Sequence, residues 1–237
     1  MTICPHRSGS AALPVLLALL ATTLLACAQD WRPRTLRPGE NPFGPSDPRY
    51  APQPRRGNPL EVVVEPGGRH AWVSLQGSED EPGHEVVRVA LDSSRVVARV
   101  PVGSGPTGLA LHPDGSLLLV ANRFSNWISV VDVRGERELQ RLPADPYTID
   151  LAFSPDGGEL WLTNRWRDAV TVWEVERQGR GLAVRSRGAS LPTATNPRDL
   201  AISADGAAVA VGALTGLSVT IVDRRSRQIL HEVSLGA

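Results

Sequence analysis

"NRFSNWISVVDV", Asn122–Val133, returns 42 residues later as "NRWRDAVTVWEV", Asn164–Val175. Each copy opens on Asn-Arg-aromatic and continues with apolar residues at every second position. That alternation is the period of a strand with one covered face. A repeat at this spacing calls for a search along the whole chain, because a missed repeat misassigns the fold.

Turn triplets provide the register: "PGG" at Pro66, "PDG" at Pro113, "PDG" at Pro155 and "ADG" at Ala204, spaced by 47, 42 and 49 residues. A short apolar run precedes each ("LEVVV", "GLALH", "IDLAF", "DLAIS"), and another follows ("HAWVSL", "LLLVAN", "ELWLTN", "AVAVGA"). A loop leads to a third run ("EVVRVAL", "WISVVDV", "AVTVWEV", "LSVTIVD"), and a fourth closes the unit, most clearly "RVVARVPVG" and "QILHEVSLG". The differences in spacing fall in "QGSEDEPGH" of the first unit and "ERQGRGLAVRSRGASLPTATN" of the third, both read as loops. Four short strands per unit, with Gly, Pro, Asp and Asn between them, predict an antiparallel meander, and no helical period competes outside the N-terminal segment. Modules of this size are the blades of a β-propeller. The expected fold is therefore all-β: a propeller of four-stranded antiparallel blades over residues 59–105, 106–147, 148–196 and 197–237. The last unit stops where a connection to a fifth should begin, so four blades predict an incomplete ring. A fragment of a longer protein, a ring closed between chains and a compact four-bladed disc all fit, and the first is preferred.

At this point the pattern "PDG...LLLVANRFSNWISVVDV", followed by "VVARVPVGSGPTGLALHPDG", resembles the YVTN-type propeller repeat of extracytoplasmic bacterial and archaeal proteins. Val120-Ala121-Asn122 and Leu162-Thr163-Asn164 match its second strand end, Val131-Asp132 and Val222-Asp223 its third, and Gly103–Gly108 its link to the next blade. The departures are Ser74-Leu75 and Gly212-Ala213 where Asn is expected, and Glu174 for the Asp. Such propellers resemble closed discs, commonly of seven blades. The resemblance is specific for the fold and weak for function, since one blade type serves many tasks.

Residues 1–27 read as a secretory signal: Arg7, then "AALPVLLALLATTLLA". Leu24-Leu25-Ala26-Cys27 resembles a bacterial lipobox, which predicts lipidation at Cys27 and an anchor on the outer membrane or cell surface. Ordinary cleavage at Ala26-Cys27-Ala28, giving a soluble periplasmic protein, and an uncleaved anchor fit the same residues. Residues 28–58, dense in Pro and Arg, read as a disordered tether.

The remaining composition mostly excludes. Twenty-five basic residues balance 25 acidic ones, and all of the basic ones are Arg. With no basic excess or like-charge block, nucleic acid is not the expected partner. Cys4 and Cys27 are the only cysteines and both precede the tether, so the blades have no thiol for a disulfide, zinc or nucleophile, and C-x-x-C-H is absent. His70, His84, His112 and His231 fall at unrelated places in their units, and no H-x-H or H-x-x-x-H pair occurs. There is no G-x-S-x-G elbow and no P-loop. No cofactor, metal or catalytic residue is expected. The acidic "SEDE", Ser78–Glu81, is read as a solvated loop rather than a Ca²⁺ site.

In an up-and-down sheet the second-to-third turns share one edge with the connections between units. That edge gathers the candidate binding residues Asn122, Arg123, Asn164, Arg165, Asp168 and Arg198. The bland reading of the two Asn is turn geometry, since Asn accepts left-handed backbone and satisfies turn amides. Phe124 and Trp166 are expected between blades. The paired guanidinium groups suit an anion or an acidic partner, or else answer Asp168 and the acidic loop. Asp114 and Asp156, in the P-D-G turns, lie at the opposite edge.

The expected function is a non-enzymatic, envelope-tethered propeller presenting this face to a protein or polymer. The alternative is the N-terminal blades of a periplasmic oxidoreductase or haem-containing propeller, and a lactonase-like propeller is a third possibility that no residue supports.

Overall fold

The structure is a computed structural model and describes residues 57–188 and 190–236. The signal segment, Cys27 and nearly all of the tether lie outside the described residues. Within them the chain forms four antiparallel sheets, each a meander in sequence order. The first sheet is β1 (Pro59–Val64), β2 (His70–Gly77), β3 (Pro82–Ala90) and β4 (Arg95–Pro101). The second is β5 (Pro106–Leu111), β6 (Leu117–Asn122), β7 (Trp127–Asp132) and β8 (Arg137–Pro143). In the third, β9 (Thr148–Phe153), β10 (Glu159–Asn164), β11 (Ala169–Gln178) and β12 (Gly181–Arg187) are joined by the short β13 (Leu191–Pro192) on β11. The fourth is β14 (Pro197–Ile202), β15 (Ala208–Ala213), β16 (Ser218–Asp223) and β17 (Ile229–Ser234). The all-β propeller expectation holds.

One sequence reading needs correction. Most of "ERQGRGLAVRSRGASLPTATN" is not a loop: it completes β11, turns at Gly179 and returns as β12, with Leu182 almost fully buried. Arg residues on the exposed side of β12 dilute the alternation that would have marked the strand. Likewise β2 and β3 run into "QGSEDEPGH", leaving a tight turn at Ser78–Glu81.

Successive sheets pack face to face through the alternating apolar residues. Trp72, Val86 and Val100 meet Leu109, Leu118 and Val120 between the first and second sheets. Leu117, Leu119 and Ile128 meet Leu160, Leu162 and Trp173 between the second and third, and Trp161, Val170 and Val172 meet Val209, Val211 and Val222 between the third and fourth. Each seam places about 25 cal/mol per Å² of apolar surface out of water, so the seams hold the blades in order. Ion pairs cross the rims as well: Arg88 reaches Glu136, Arg180 reaches Asp132, and Arg224 and Arg227 both hold Glu159. The first strands β1, β5, β9 and β14 contact one another in turn. They line the axis of the propeller.

Candidate functional site

The turns after β6 and β10 carry the repeated Asn-Arg-aromatic triplet. Asn164 is buried, and its Oδ1 accepts the amides of Trp166 (3.1 Å) and Arg167 (3.0 Å) while its Nδ2 donates to the Pro146 carbonyl (3.2 Å). Asn122 is buried too, with Nδ2 donating to the Trp127 carbonyl (3.1 Å) and to Ser129 Oγ (3.0 Å). Its side chain lies where a Cβ on Gly103 would stand, 2.5 Å from Cγ, which is why the link between blades needs Gly there. Both Asn build the turn that presents the next residue. Neither is left-handed; that backbone falls on Asp168 (φ 46°) and Asn196 (φ 64°), and Asp168 Oδ1 accepts the Asn196 amide at 2.7 Å.

The arginines behind these turns converge. Arg123, Arg165 and Arg198, one from each of three successive sheets, line a single narrow cavity of about 20 Å³ with Thr107, Ile149 and Asn196. A wider cleft of about 530 Å³ adjoins it, sharing Arg123, Arg165 and Asn196 and adding Tyr147, Trp166 and Asp168. Arg123 is half-buried and its Nη2 holds Glu79 of the acidic loop at 2.8 Å, while its Nε is buried without a partner among the described residues. Among the same residues no carboxylate pairs with Arg165 or Arg198. The cluster thus has donors in excess of acceptors, and one carboxylate already sits on it.

An aromatic row flanks the cleft. Phe124 meets Tyr147 edge-on (centroids 6.1 Å apart), Tyr147 meets Trp166 (5.2 Å), and the Arg123 guanidinium lies 4.7 Å from the Phe124 ring. The expected burial of Trp166 between blades does not hold: its ring is 70% exposed at the rim of the cleft. Tyr147 and Asn196 belong to the site but escaped the sequence reading, since neither recurs at equivalent positions of the units. Asp114 and Asp156 sit in the P-D-G turns, accepting Ser116 and Gly158 amides as turn formers.

Beneath the arginines lie channel carboxylates that the sequence reading did not single out. At the third position of the first strand stand Glu61, Gly108, Asp150 and Asp199. Leu109 N–H donates to Glu61 Oε2 (3.1 Å), and Leu200 N–H to Asp150 Oδ2 (2.8 Å), so a carboxylate of one blade holds an amide of the next. Gly108 breaks the series because a Cβ there would stand 2.6 Å from Asp150 Cα. Across that seam Thr107 Oγ1 donates to the Ile149 carbonyl (2.6 Å), and the Leu151 amide turns to Asp150 Oδ1 (2.8 Å). Burial, with the charge of Asp150 added, pushes Glu61 up to about 8; burial raises Asp150 to about 6 despite the two amides.

These shifts fix a sign. A carboxyl group raised on folding binds its proton more tightly in the native state, so stability falls as pH climbs from the ordinary value to the raised one. The Tm is expected to decline between about pH 5 and about pH 8, with the part above about pH 7 belonging to Glu61. Glu61→Gln keeps an acceptor for Leu109 and should flatten that upper part in thermal unfolding at several pH values. An unchanged slope in the variant would refute the assignment. Acid loss comes from other groups: at Asp114, hydrogen bonds from Ser116 outweigh burial and lower it to about 2.

Among the described residues no cluster of His, Cys, Asp and Glu could hold a metal ion, and no helix is long and apolar enough to cross a membrane. The cavity lining carries no free carboxylate or imidazole. Three guanidinium groups at one cavity and a row of rings beside them favour a planar anion next to an apolar or flat group.

The chain is similar to known propellers. Hydrazine synthase subunit beta of Kuenenia stuttgartiensis is 29% identical over 32% of this chain and 24% of that protein. The solved structure of Kuenenia stuttgartiensis hydrazine synthase aligns with a TM-score of 0.63 at 25% identity, covering 74% of this chain and 49% of that one. The Pseudomonas aeruginosa periplasmic gluconolactonase aligns at 0.59 and 24% identity, over 78% and 56%, a likeness of fold. This chain therefore spans about half the length of the solved structures it resembles, and about a quarter of the curated relative. Residues 91–232, more than half of the chain, match the family described as Lactonase, 7-bladed beta-propeller, and the chain belongs to that family.

Proposed function

We infer that this chain is a non-enzymatic binding propeller that takes an acidic partner, a protein or polymer of the cell envelope, on its arginine face. The observation that carries the reading is the convergence of Arg123, Arg165 and Arg198 on one cavity, with Glu79 already paired to the first of them. A guanidinium fork recognises carboxylate or phosphate in two-point fashion, and three successive blades bring one such group each to the same cavity. Lactone hydrolysis is the less favoured activity, because Asp168 is engaged by the Asn196 amide and Glu61 and Asp150 by amides of the strands around them. In this reading Cys27 carries a lipid and residues 28–58 hold the propeller away from the membrane, which the intact mass of the protein from its source membranes tests. The YVTN-type blade, with Asn122 and Asn164 ending their strands, belongs to the same reading.

Arg165→Ala with Arg198→Ala is the informative variant, since Arg123 also stacks on Phe124 and its loss disturbs the turn. With polyglutamate and polyphosphate as probes, the double variant should bind at least about tenfold more weakly, with the unfolding midpoint little changed, because each lost charged hydrogen bond is worth roughly 1.5–3 kcal/mol. Equal affinity of wild type and variant for both probes would remove the proposal.

A second reading, membership of an envelope oxidoreductase assembly, is favoured by the similarity to hydrazine synthase. A c-type haem protein that copurifies with this chain from membranes would support it, and its consistent absence would count against it.

A further inference from the structure

The link between the second and third sheets carries a residue that its backbone does not favour. Tyr147 directly precedes β9 and has φ 60°, in the left-handed region. The residues that directly precede β5 and β14 have the same backbone, and they are Gly105 (φ 61°) and Asn196 (φ 64°). Glycine takes this conformation freely and asparagine at little cost, whereas a bulky aromatic residue is an outlier there. The backbone bonds of the link do not ask for a ring. The Tyr147 amide donates to the Arg123 carbonyl (3.2 Å) and its carbonyl accepts the Arg165 amide (3.1 Å). Gly105 makes the equivalent pair with no side chain at all, donating to the Gly83 carbonyl (2.8 Å) and accepting the Arg123 amide (2.9 Å). Strain kept at one link of three points to work done by the tyrosine ring.

That ring stands in the wall of the wide cleft, between Phe124 and the exposed Trp166. Beyond the rings and the arginines the lining is polar: Asp168, Thr195, Asn196 and Thr215. Thr195 and Thr215 are exposed, and Asp168 is half-exposed. Asp168 Oδ1 takes the Asn196 amide, and no arginine pairs with this carboxylate among the described residues. The cleft therefore offers flat apolar faces, hydroxyl groups, a carboxylate in need of donors and, at its inner end, guanidinium groups. Polyphosphate has no flat face and no donor for Asp168. A glutamate side chain has a carboxylate and nothing to lay on a ring. An aromatic acid has the flat face but leaves Asp168 and the threonines unanswered. A uronic acid meets every part of the lining: its carboxylate suits arginine, its hydroxyl groups both donate and accept, and its C–H face is drawn to the negative face of an aromatic ring. Arg123, Arg165 and Arg198 also exceed what one carboxylate engages in bidentate pairing, which favours a chain of such sugars over a single one.

We propose that the acidic partner is a polyuronate, whose sugar rings lie on Tyr147 and Trp166 while Arg165 and Arg198 hold its carboxylates. The inference rests on the arginine reading above and adds to it a specificity carried by the rings. Tyr147 is the specificity-determining residue, kept in a backbone conformation that glycine or asparagine would fill more easily.

Calorimetric titration of the full protein with an oligogalacturonate and with an oligoglutamate of equal charge tests this. The wild type should bind the sugar at least about tenfold more tightly than the peptide. Two variants locate the preference: Trp166→Ala, at an exposed position, and Tyr147→Asn, which suits the left-handed backbone. Each should cost the oligogalacturonate at least about fivefold more than it costs the oligoglutamate. The unfolding midpoint of Tyr147→Asn should stay level or rise, since relief of strain offsets the lost ring contacts. A fall in that midpoint with equal weakening of both probes would make Tyr147 a packing residue and overturn the proposal. Oligoglutamate bound as tightly as the sugar, through Arg165 and Arg198, would overturn it while leaving the arginine reading intact. Binding of neither probe, or equal binding of both by the Arg165→Ala, Arg198→Ala variant, would overturn the two together.

Discussion

Asp150→Ala is expected to destabilise the protein by about 2–5 kcal/mol in urea unfolding, against a total of about 5–15 kcal/mol for a domain of this class. The carboxylate lies in the channel wall and accepts two amides, Leu151 on its own strand and Leu200 on the next blade. Alanine leaves both donors without an acceptor, one in a buried residue and one half-buried. Each such donor costs about 1–3 kcal/mol, and the second opens the seam between the third and fourth sheets as well. Asn keeps one acceptor oxygen and has no charge to desolvate, so Asp150→Asn should lose less. A loss below about 1 kcal/mol for the alanine variant would show that water replaces the carboxylate and that the joint is dispensable.

Trp161→Ala acts on the same seam from the apolar side. The indole is fully buried against Val209, Val211 and Val222, its Nε1 donates to Glu159 Oε2 (3.1 Å), and the Arg227 guanidinium lies 4.8 Å from its ring. Truncation of a buried aromatic costs about 3–5 kcal/mol through lost transfer energy and the cavity left behind. Here the cost should sit near the upper end, because Glu159, which also holds Arg224 and Arg227, loses a donor at the centre of its network. Trp161→Phe, which fills most of the space and lacks only the indole donor, should recover more than half of the loss. Equal losses for Ala and Phe would place the energy in the hydrogen bond rather than the packing.

The two variants also mark where sequence reading succeeds and where it stops. The blades were legible because Val, Leu, Ile and Trp recur at period two around repeated turn triplets, a signal that survives loop insertion. The convergence of Arg123 and Arg165 was foreshadowed by the repeat itself, since equivalent positions in adjacent blades face one axis. Asp150 was invisible as a joint for a different reason. Glu61, Asp150 and Asp199 are aligned in the units, but Gly108 interrupts the series, and the partner of Glu61 and of Asp150 is a backbone amide, which leaves no trace in side-chain identity. Trp166 misled because its bulk suits a seam; the turn built by Asn164 aims it outward. β12 was hidden by its arginines, which occupy the solvent side of an outermost strand.

In the proposed function the arginine cluster binds an acidic group. The most direct test is a crystal structure of the protein grown with a short oligoglutamate. A carboxylate within hydrogen-bonding distance of Arg165 and Arg198, beside the Phe124–Tyr147–Trp166 row, is the predicted result. An oligoglutamate bound at the P-D-G edge instead, or an empty arginine cavity at saturating ligand, would contradict it.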